Sequence, residues 1–408
     1  MSVDAVNLDH PVDSDHPVYL DHNATTPIDP RVREAMLPWL GEGHGNPSSA
    51  HRVGREARRA VERARERVAA LLGASPEEVL FTSSGSEANN AVIYAAAGLW
   101  DADRRGPRGH LVGSVLEHPS VRRAAARMAE LGAELTELDP GADGRVAASA
   151  VASALRPDTR LACLMLANNE LGTLQPVAEV ASACRERGVP VLCDAVQAVG
   201  KVPVDARALG VDYLTLGGHK FHGPPGVAAL YVRGGAPFEP LLAGAPQEGG
   251  RRAGTENLPA IVGLGEAAAL AAAELAERGR HLAALRDRFE AGLGEIPGAV
   301  VHCRDVPRLP STSHVAFPGS SGHQLMLRLD RRGYAVSTGS ACHSGKPQPS
   351  PALVAMGVAE EEALASLRVS FGMPNTAAEV DAFLEVLAAE VASARGGESR
   401  SEGVRVVG

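Results

Sequence analysis

Six short apolar runs, bounded by Gly, Pro or Asp and mostly separated by helical patterns, constrain this chain more than any other feature. They occupy residues 79–83 (VLFTS), 110–114 (HLVGS), 161–167 (LACLMLA), 189–194 (VPVLCD), 213–217 (YLTLG) and 227–232 (VAALYV). Between them lie stretches such as 52–72, where Val53, Ala57, Ala60, Val61, Ala64, Val68, Leu71 and Leu72 recur at roughly helical spacing. Short buried strands alternating with amphipathic helices predict an α/β fold with a mainly parallel sheet.

The texture changes within a long alanine-rich helical pattern at 264–293. Beyond it, strand-like runs at 312–317, 335–337 and 367–371 precede a closing helix with Val380, Phe383, Leu384, Leu387 and Val391 facing inward. A smaller α+β domain is expected there. The chain of 408 residues is long enough for one large domain and this second one. Residues 1–17 and 396–408 read as loose tails.

Composition excludes several classes of function. A net charge of −9 with no basic stripe gives no electrostatic case for nucleic acid. The N-terminal MSVDAVNLDHPVDSDHP lacks the apolar core of a signal peptide. Alanine-rich runs are broken by Glu and Arg before about 18 residues, so no membrane span is expected. Five cysteines, odd in number and paired by no obvious spacing, point to a reducing compartment, and hence the cytoplasm.

Chemistry enters with lysine. Of 40 basic residues only Lys201, Lys220 and Lys346 are lysine, and Lys220 sits in TLGGHKFHGPPG among glycines and prolines. A guanidinium stays protonated, whereas an amine can lose its proton and attack a carbonyl. Upstream, VPVLCDAVQAVG reads as a strand ending at Asp194, with Gln197 on the following turn. Open α/β sheets bind ligands at such strand ends. An Asp for a pyridinium nitrogen and a lysine for a Schiff base, one βαβ unit apart, are the pair that pyridoxal phosphate needs. An Asp capping a helix and a solvated loop lysine are the plainer alternative.

Other strand ends add to this. FTSSGSEANN offers a strand, a Ser/Gly turn and a helix opening near Ser86 and Glu87, a place for a phosphate with hydroxyls from Ser84 and Ser86. An ordinary N-cap explains it equally well. His118 in LEHPS and Asn169 in ANNELG follow two more strands, where a ring and its hydroxyl would lie, although each is also a common turn residue. Arg368, mid-strand in LRVSFG, suggests a carboxylate clamp; the alternative is the exposed face of an edge strand. Cys163, Cys184, Cys193 and Cys303 read as buried small hydrophobes, Cys303 in a short strand. Cys342, in the polar STGSACHSGKPQPS beside His343, is a candidate nucleophile. No CxxC or HxxxH spacing supports a metal site.

These residues resemble the NifS-type cysteine desulfurases, within the class V aminotransferase group of fold-type I pyridoxal phosphate enzymes. The match runs from VYLDHNATTPIDPRV (18–32) through GNPSSAHRVGREA, FTSSGSEANN, LEHPSV, ANNELG, CDAVQAVGK, GGHKFHGPPG, RRAGTENLPAIVGLG, STGSAC and LRVSFG, nearly the whole chain in the family's order. The resemblance implies a seven-stranded, mainly parallel sheet in a large cofactor-binding domain at 31–274. Residues 18–30 would join a small α+β domain at 275–395 that carries the Cys342 loop. Lys220 would hold the cofactor, Asp194 pair its ring nitrogen, and His118 stack on it and shuttle protons. Asn169 and Gln197 would hold the ring hydroxyl, and Asn169 would also face substrate. Gly85, Ser86 and His219 would grip phosphate, and Thr255 in AGTEN would reach the phosphate of a second copy in a homodimer. Arg368 would bind the substrate carboxylate.

The implied reaction releases sulfur from L-cysteine as a persulfide on Cys342, forming L-alanine, with a protein acceptor for the sulfur. CHSGKPQPSPAL is similar to the selenocysteine lyases of the same family, so L-selenocysteine and a selenium acceptor are the alternative. An aminotransferase or β-lyase without a persulfide is a further one. Two positions depart from the family pattern: Gly217 stands where a phosphate-binding Ser is common, and Met373 where an Arg is usual.

Overall fold

All six apolar runs become strands of one sheet. The computed structural model describes residues 17–41, 43–99, 106–338 and 348–401, with the backbone alone for 396–401. In chain order the elements begin β1 (Val18–Tyr19), α1 (Pro30–Leu40), α2 (Arg52–Leu71), β2 (Val79–Thr82), α3 (Gly85–Ala96), β3 (His110–Ser114), α4 (Pro119–Glu130) and β4 (Glu134–Leu138). They continue through α5 (Ala148–Ala154), β5 (Thr159–Cys163), α6 (Val177–Glu186), β6 (Val191–Asp194), α7 (Ala206–Leu209), β7 (Tyr213–Gly217) and β8 (Ala228–Val232). After α8 (Leu258–Gly292) come β9 (Val300–Val301), β10 (Thr312–Ala316), α9 (Gly322–Arg331), β11 (Tyr334–Ala335), α10 (Pro351–Ala355), α11 (Glu360–Leu364), β12 (Ser366–Ser370) and α12 (Ala377–Ser401).

The large sheet has seven strands in the order β2-β8-β7-β6-β5-β3-β4, parallel at every pairing except the two that β8 makes. This is the fold class expected. The seventh strand, β4, shows no apolar run because it is an edge, with Glu134 and Glu137 exposed. Alternate strand residues point to opposite faces. Val79, Phe81, Val191, Cys193, Leu214 and Leu216 therefore pack with α2, α6 and α8, while Leu80, Leu111, Leu192 and Leu230 pack with α3 and α4. Both faces are covered, as a parallel sheet requires.

Helix α8 links two cores. Its first half buries Leu258, Ile261, Leu264, Ala267 and Ala271 in the large core; its second half buries Leu282, Leu285 and Phe289 in the small one. The fit against α2 is tight: a Cβ on Gly265 would lie 2.6 Å from Ala64 Cα, so only glycine allows that approach. By length and composition the stretch Leu258–Glu295 could cross a membrane, contrary to the sequence expectation. Its burial on both cores is that of an internal helix.

The C-terminal core sits under the antiparallel sheet β12-β10-β9. Phe289 packs on Phe371 and Phe383 with ring centroids 5.8 and 5.7 Å apart. The N-terminal segment reaches this region, because β1 pairs in parallel with β11 and Asp21 bridges to Ser370. Helix α12 runs to Ser401, into the stretch read as a tail from residue 396. Cys303 follows β9 in a turn, half-buried at φ 55°, rather than in a strand.

Candidate active site

The carboxyl ends of β3, β5, β6 and β7 lie on one edge of the sheet, and each delivers a sequence-predicted residue. Asp194 ends β6, Lys220 closes the single 3-10 turn after β7, His118 caps α4 after β3, and Asn169 follows β5. Lys220 lies within charge range of Asp194 and Arg368, and His118 within range of Asp194 and Lys220, while the Asn169 backbone oxygen accepts from Arg368.

Lys220 Nζ donates to the backbone oxygens of Asn23 at 2.6 Å and Ala24 at 2.7 Å. Burial, with the neighbouring Arg368 guanidinium, lowers its pKa to about 8, against the pull of Asp194 and Asp21. An amine so placed yields a free base near neutral pH. The segment around Asn23 is a hub that sequence reasoning did not single out. Asn23 Oδ1 accepts from Lys201 Nζ at 3.0 Å, and its Nδ2 donates to Thr312 Oγ1 at 3.0 Å and Asn169 O at 3.2 Å. Gln197 donates to Asn23 O at 2.8 Å and accepts from Lys201 at 2.9 Å. Both ends of the Gln197 amide are thus engaged within the chain, whereas the Asn169 side chain makes no hydrogen bond among the described residues. Lys201, the second lysine, is buried, and burial pushes its pKa well down.

Asp194 is buried and oriented from two sides, by Asn89 Nδ2 at 2.9 Å on Oδ2 and by the Val196 amide at 3.0 Å on Oδ1. Asn89 also donates to Ser120 Oγ at 3.0 Å and accepts from Thr215 Oγ1 at 2.9 Å. Ser120 lies 2.8 Å from His118 Nδ1. Asn89 and Ser120 were both legible within quoted motifs, but nothing in their spacing showed that they join Asp194 to His118. Beside them Glu117 is buried, and burial raises its pKa to about 8. It accepts from the Met165 amide at 2.7 Å.

Helix α3 opens at Gly85 with Ser84 as N-cap, its hydroxyl accepting from the Glu87 amide at 3.1 Å. The ordinary N-cap and an anion-binding helix start therefore coexist, since the first-turn amides of Gly85 and Ser86 have no partner inside the helix. Gly85 abuts the turn after Asp194: a Cβ there would lie 2.9 Å from Val196 Cγ2. Across the same valine, a Cβ on Gly217 would meet nothing nearer than Val196 Cγ1 at 3.6 Å and His219 Cδ2 at 3.7 Å. The missing serine leaves room at this end of the pocket. His219 Nδ1 lies 3.1 Å from Thr25 Oγ1, and burial followed by the Lys220 and Lys201 charges lowers its pKa to about 4. Thr255 is not brought to this cluster. It is exposed in the loop before α8, bordering a cleft of about 130 Å³ with Ser83 and Arg252.

Although β12 is an edge strand, Arg368 is only 5% exposed, which removes the solvent-facing alternative. It donates through Nη1 to Asn169 O at 3.0 Å, while its buried Nε has no partner among the described residues. Cys342 lies outside the described residues. Cys163, Cys184 and Cys193 are buried thiols whose pKa values burial raises, so none is a competing nucleophile.

This donor set fits pyridoxal phosphate. A depressed amine suits the aldehyde, a held carboxylate suits the ring nitrogen, unpaired helix amides suit the phosphate, and an unsatisfied buried guanidinium N–H suits an anionic group.

Comparison with known proteins agrees. The family model for aminotransferase class-V matches residues 18–383. The cysteine desulfurase IscS of Methanosarcina thermophila is 43% identical over 367 residues, 90% of this chain and 90% of that relative. A solved NifS-like protein superposes with a TM-score of 0.86 at 36% identity, covering 92% of this chain and 100% of that one. A structure of SspA in complex with cysteine superposes with a TM-score of 0.77 at 35% identity, over 87% of this chain and 99% of the other.

Proposed function

The chain belongs to the class-V aminotransferase family and is a pyridoxal-phosphate-dependent cysteine desulfurase, and from that premise we propose the following roles for its residues. Lys220 anchors the cofactor and, once released, moves the Cα proton, for which its pKa of about 8 suits it. When bound, pyridoxal phosphate supplies the electron sink that makes that proton acidic. Asp194, fixed by Asn89 and the Val196 amide, keeps a carboxylate lone pair for the ring nitrogen. Gly85, Ser86 and His219 hold the phosphate, with Gly217 contributing space rather than a hydroxyl. Asn169 faces the ring hydroxyl and the substrate, and Gln197 works through Asn23 and Lys201. Arg368 orients the substrate carboxylate. The thiolate of Cys342 takes the substrate sulfur: an S–S bond forms as the Cβ–S bond breaks, and the carbon skeleton takes up a proton and leaves as L-alanine.

The observation that carries this reading is Asp194 and Lys220 at neighbouring strand ends, coupled to each other and to Arg368. The solved relative bound to cysteine supports the substrate class. The selenocysteine lyase alternative draws no support from the relatives named above, a cysteine desulfurase, a NifS-like protein and SspA bound to cysteine. A homodimer, with Thr255 completing the neighbour's phosphate site, is in keeping with the exposure of Thr255 in the loop before α8. A reducing cytoplasm and a sulfur-accepting protein complete the proposal.

Alanine release from L-cysteine and L-selenocysteine, measured side by side, tests it. The wild-type chain should act on cysteine. Cys342→Ser should stop that reaction while leaving some release from selenocysteine, because a selenol is the better leaving group and departs with less help. Cysteine turnover at the wild-type rate in Cys342→Ser would remove the covalent role of Cys342.

A further inference from the structure

Ser120, the second residue of α4, meets His118 Nδ1 with both its amide and its hydroxyl. The Ser120 amide donates to His118 Nδ1 over 3.1 Å, and an amide hydrogen cannot be relocated. Nδ1 must therefore offer its lone pair. The Ser120 hydroxyl sits 2.8 Å from the same nitrogen, and its oxygen already receives an N–H of Asn89 at 3.0 Å. The sense of the Asn89 bond is fixed by its other partners. The same Nδ2 donates to Asp194 Oδ2 at 2.9 Å, while Oδ1 receives the Thr215 hydroxyl at 2.9 Å. Exchanging the amide ends would set oxygen against carboxylate. The Ser120 hydroxyl hydrogen is thus directed at Nδ1, and the order of donation runs from Asn89 to Ser120 to His118, with Asp194 holding the other N–H of Asn89.

A neutral imidazole whose Nδ1 receives two donors carries its proton on Nε2. We infer that His118 rests as a neutral imidazole with its proton on Nε2, held in that tautomer by Ser120 as a positioning residue. This deepens the desulfurase reading, on which it rests for what His118 faces; the tautomer itself follows from the chain's own hydrogen bonds. The charged groups facing the ring are Asp194 at the end of β6 and Lys220 after β7. Withdrawal from water and the Lys220 ammonium favour the neutral ring, while Asp194 opposes them. Protonating Nδ1 would turn the amide contact into a clash and force the hydroxyl to reorient. Both bonds therefore lower the pKa, and removing one raises it.

The test is imidazole nitrogen NMR on full-length holoenzyme labelled with ¹⁵N-histidine, His118 being assigned by its loss in His118→Gln. Near neutral pH the wild type should show an unprotonated Nδ1 and a protonated Nε2. Ser120→Ala should move the titration of His118 upward by about half to one pH unit, the value of one neutral hydrogen bond. Ser120→Thr, which keeps the hydroxyl, should restore the wild-type midpoint. An Nδ1–H tautomer in the wild type, or a titration unchanged in Ser120→Ala, overturns the inference. Sulfur release from cysteine is assayed on the same samples, so failure of the desulfurase reading and failure of the tautomer assignment give separate signals.

Discussion

Arg368 Nη2 donates to Asp21 Oδ1 at 2.5 Å, tying a strand of the C-terminal sheet to the N-terminal segment beside Lys220. The same guanidinium holds the Asn169 backbone oxygen, and its buried Nε has no partner among the described residues. One side chain therefore fixes three parts of the chain around the pocket, and its remaining donor capacity is what a substrate carboxylate requires.

Arg368→Lys keeps the charge but cannot reproduce a planar fork that serves Asp21, Asn169 and a carboxylate at once. A hydrogen bond to a charged group is worth about 1.5–3 kcal/mol, so KM for L-cysteine should rise about 10- to 100-fold, with a smaller change in kcat. Steady-state kinetics decide it. An unchanged KM would place carboxylate binding elsewhere.

Cofactor attachment to the apoenzyme should follow the Lys220 amine. The ammonium is unreactive and the free amine attacks, so the rate should climb about tenfold per pH unit below the amine's pKa and level off above it. With that pKa lowered to about 8, the plateau should begin near pH 8 instead of above 10. Stopped-flow absorbance reads the profile. Lys220→Arg should be as inert as Lys220→Ala, and borohydride should fix cofactor on Lys220 alone, not on Lys201 or Lys346.

Thr255→Ala should weaken cofactor retention by about 1–3 kcal/mol, the range for one hydrogen bond from a hydroxyl to a neutral or charged acceptor. Equilibrium dialysis measures it, alongside solution mass, which should be that of a dimer. A monomer that holds the cofactor tightly would end the idea that Thr255 completes a neighbour's site.

Arg65 is buried and meets Glu248 twice, at 2.7 and 3.0 Å, while also donating to Val79 O at 2.9 Å. Glu248 in turn accepts from the Phe81 amide at 3.1 Å, so the pair ties α2 and β2 to the loop that leads to Thr255. Arg65→Met leaves a buried carboxylate unpaired and should cost about 3–5 kcal/mol in urea unfolding. Adding Glu248→Gln, which keeps an acceptor for Phe81, should recover a large part of that loss.

Where side-chain period and turn chemistry act locally, the sequence was enough. The apolar runs of β2, β3, β5, β6, β7 and β8 were legible because strands buried on both faces read as continuous hydrophobic stretches. Lys220, Asp194 and Arg368 stood out because their chemistry is expensive to place among glycines or apolar neighbours. The edge strand β4 was not legible, since half of it faces water and nothing forces an apolar run. Tertiary structure alone decided the second tier of the site. Asn23 meets Lys201, Gln197 and Thr312 across 178, 174 and 289 residues of chain, and Asn89 meets Asp194 across 105. A hydrogen bond depends on the relative placement of two atoms within a few tenths of an ångström. No periodicity along a chain encodes that placement; packing of both sheet faces and the pairing of the N-terminal segment along the edge of β12 set it.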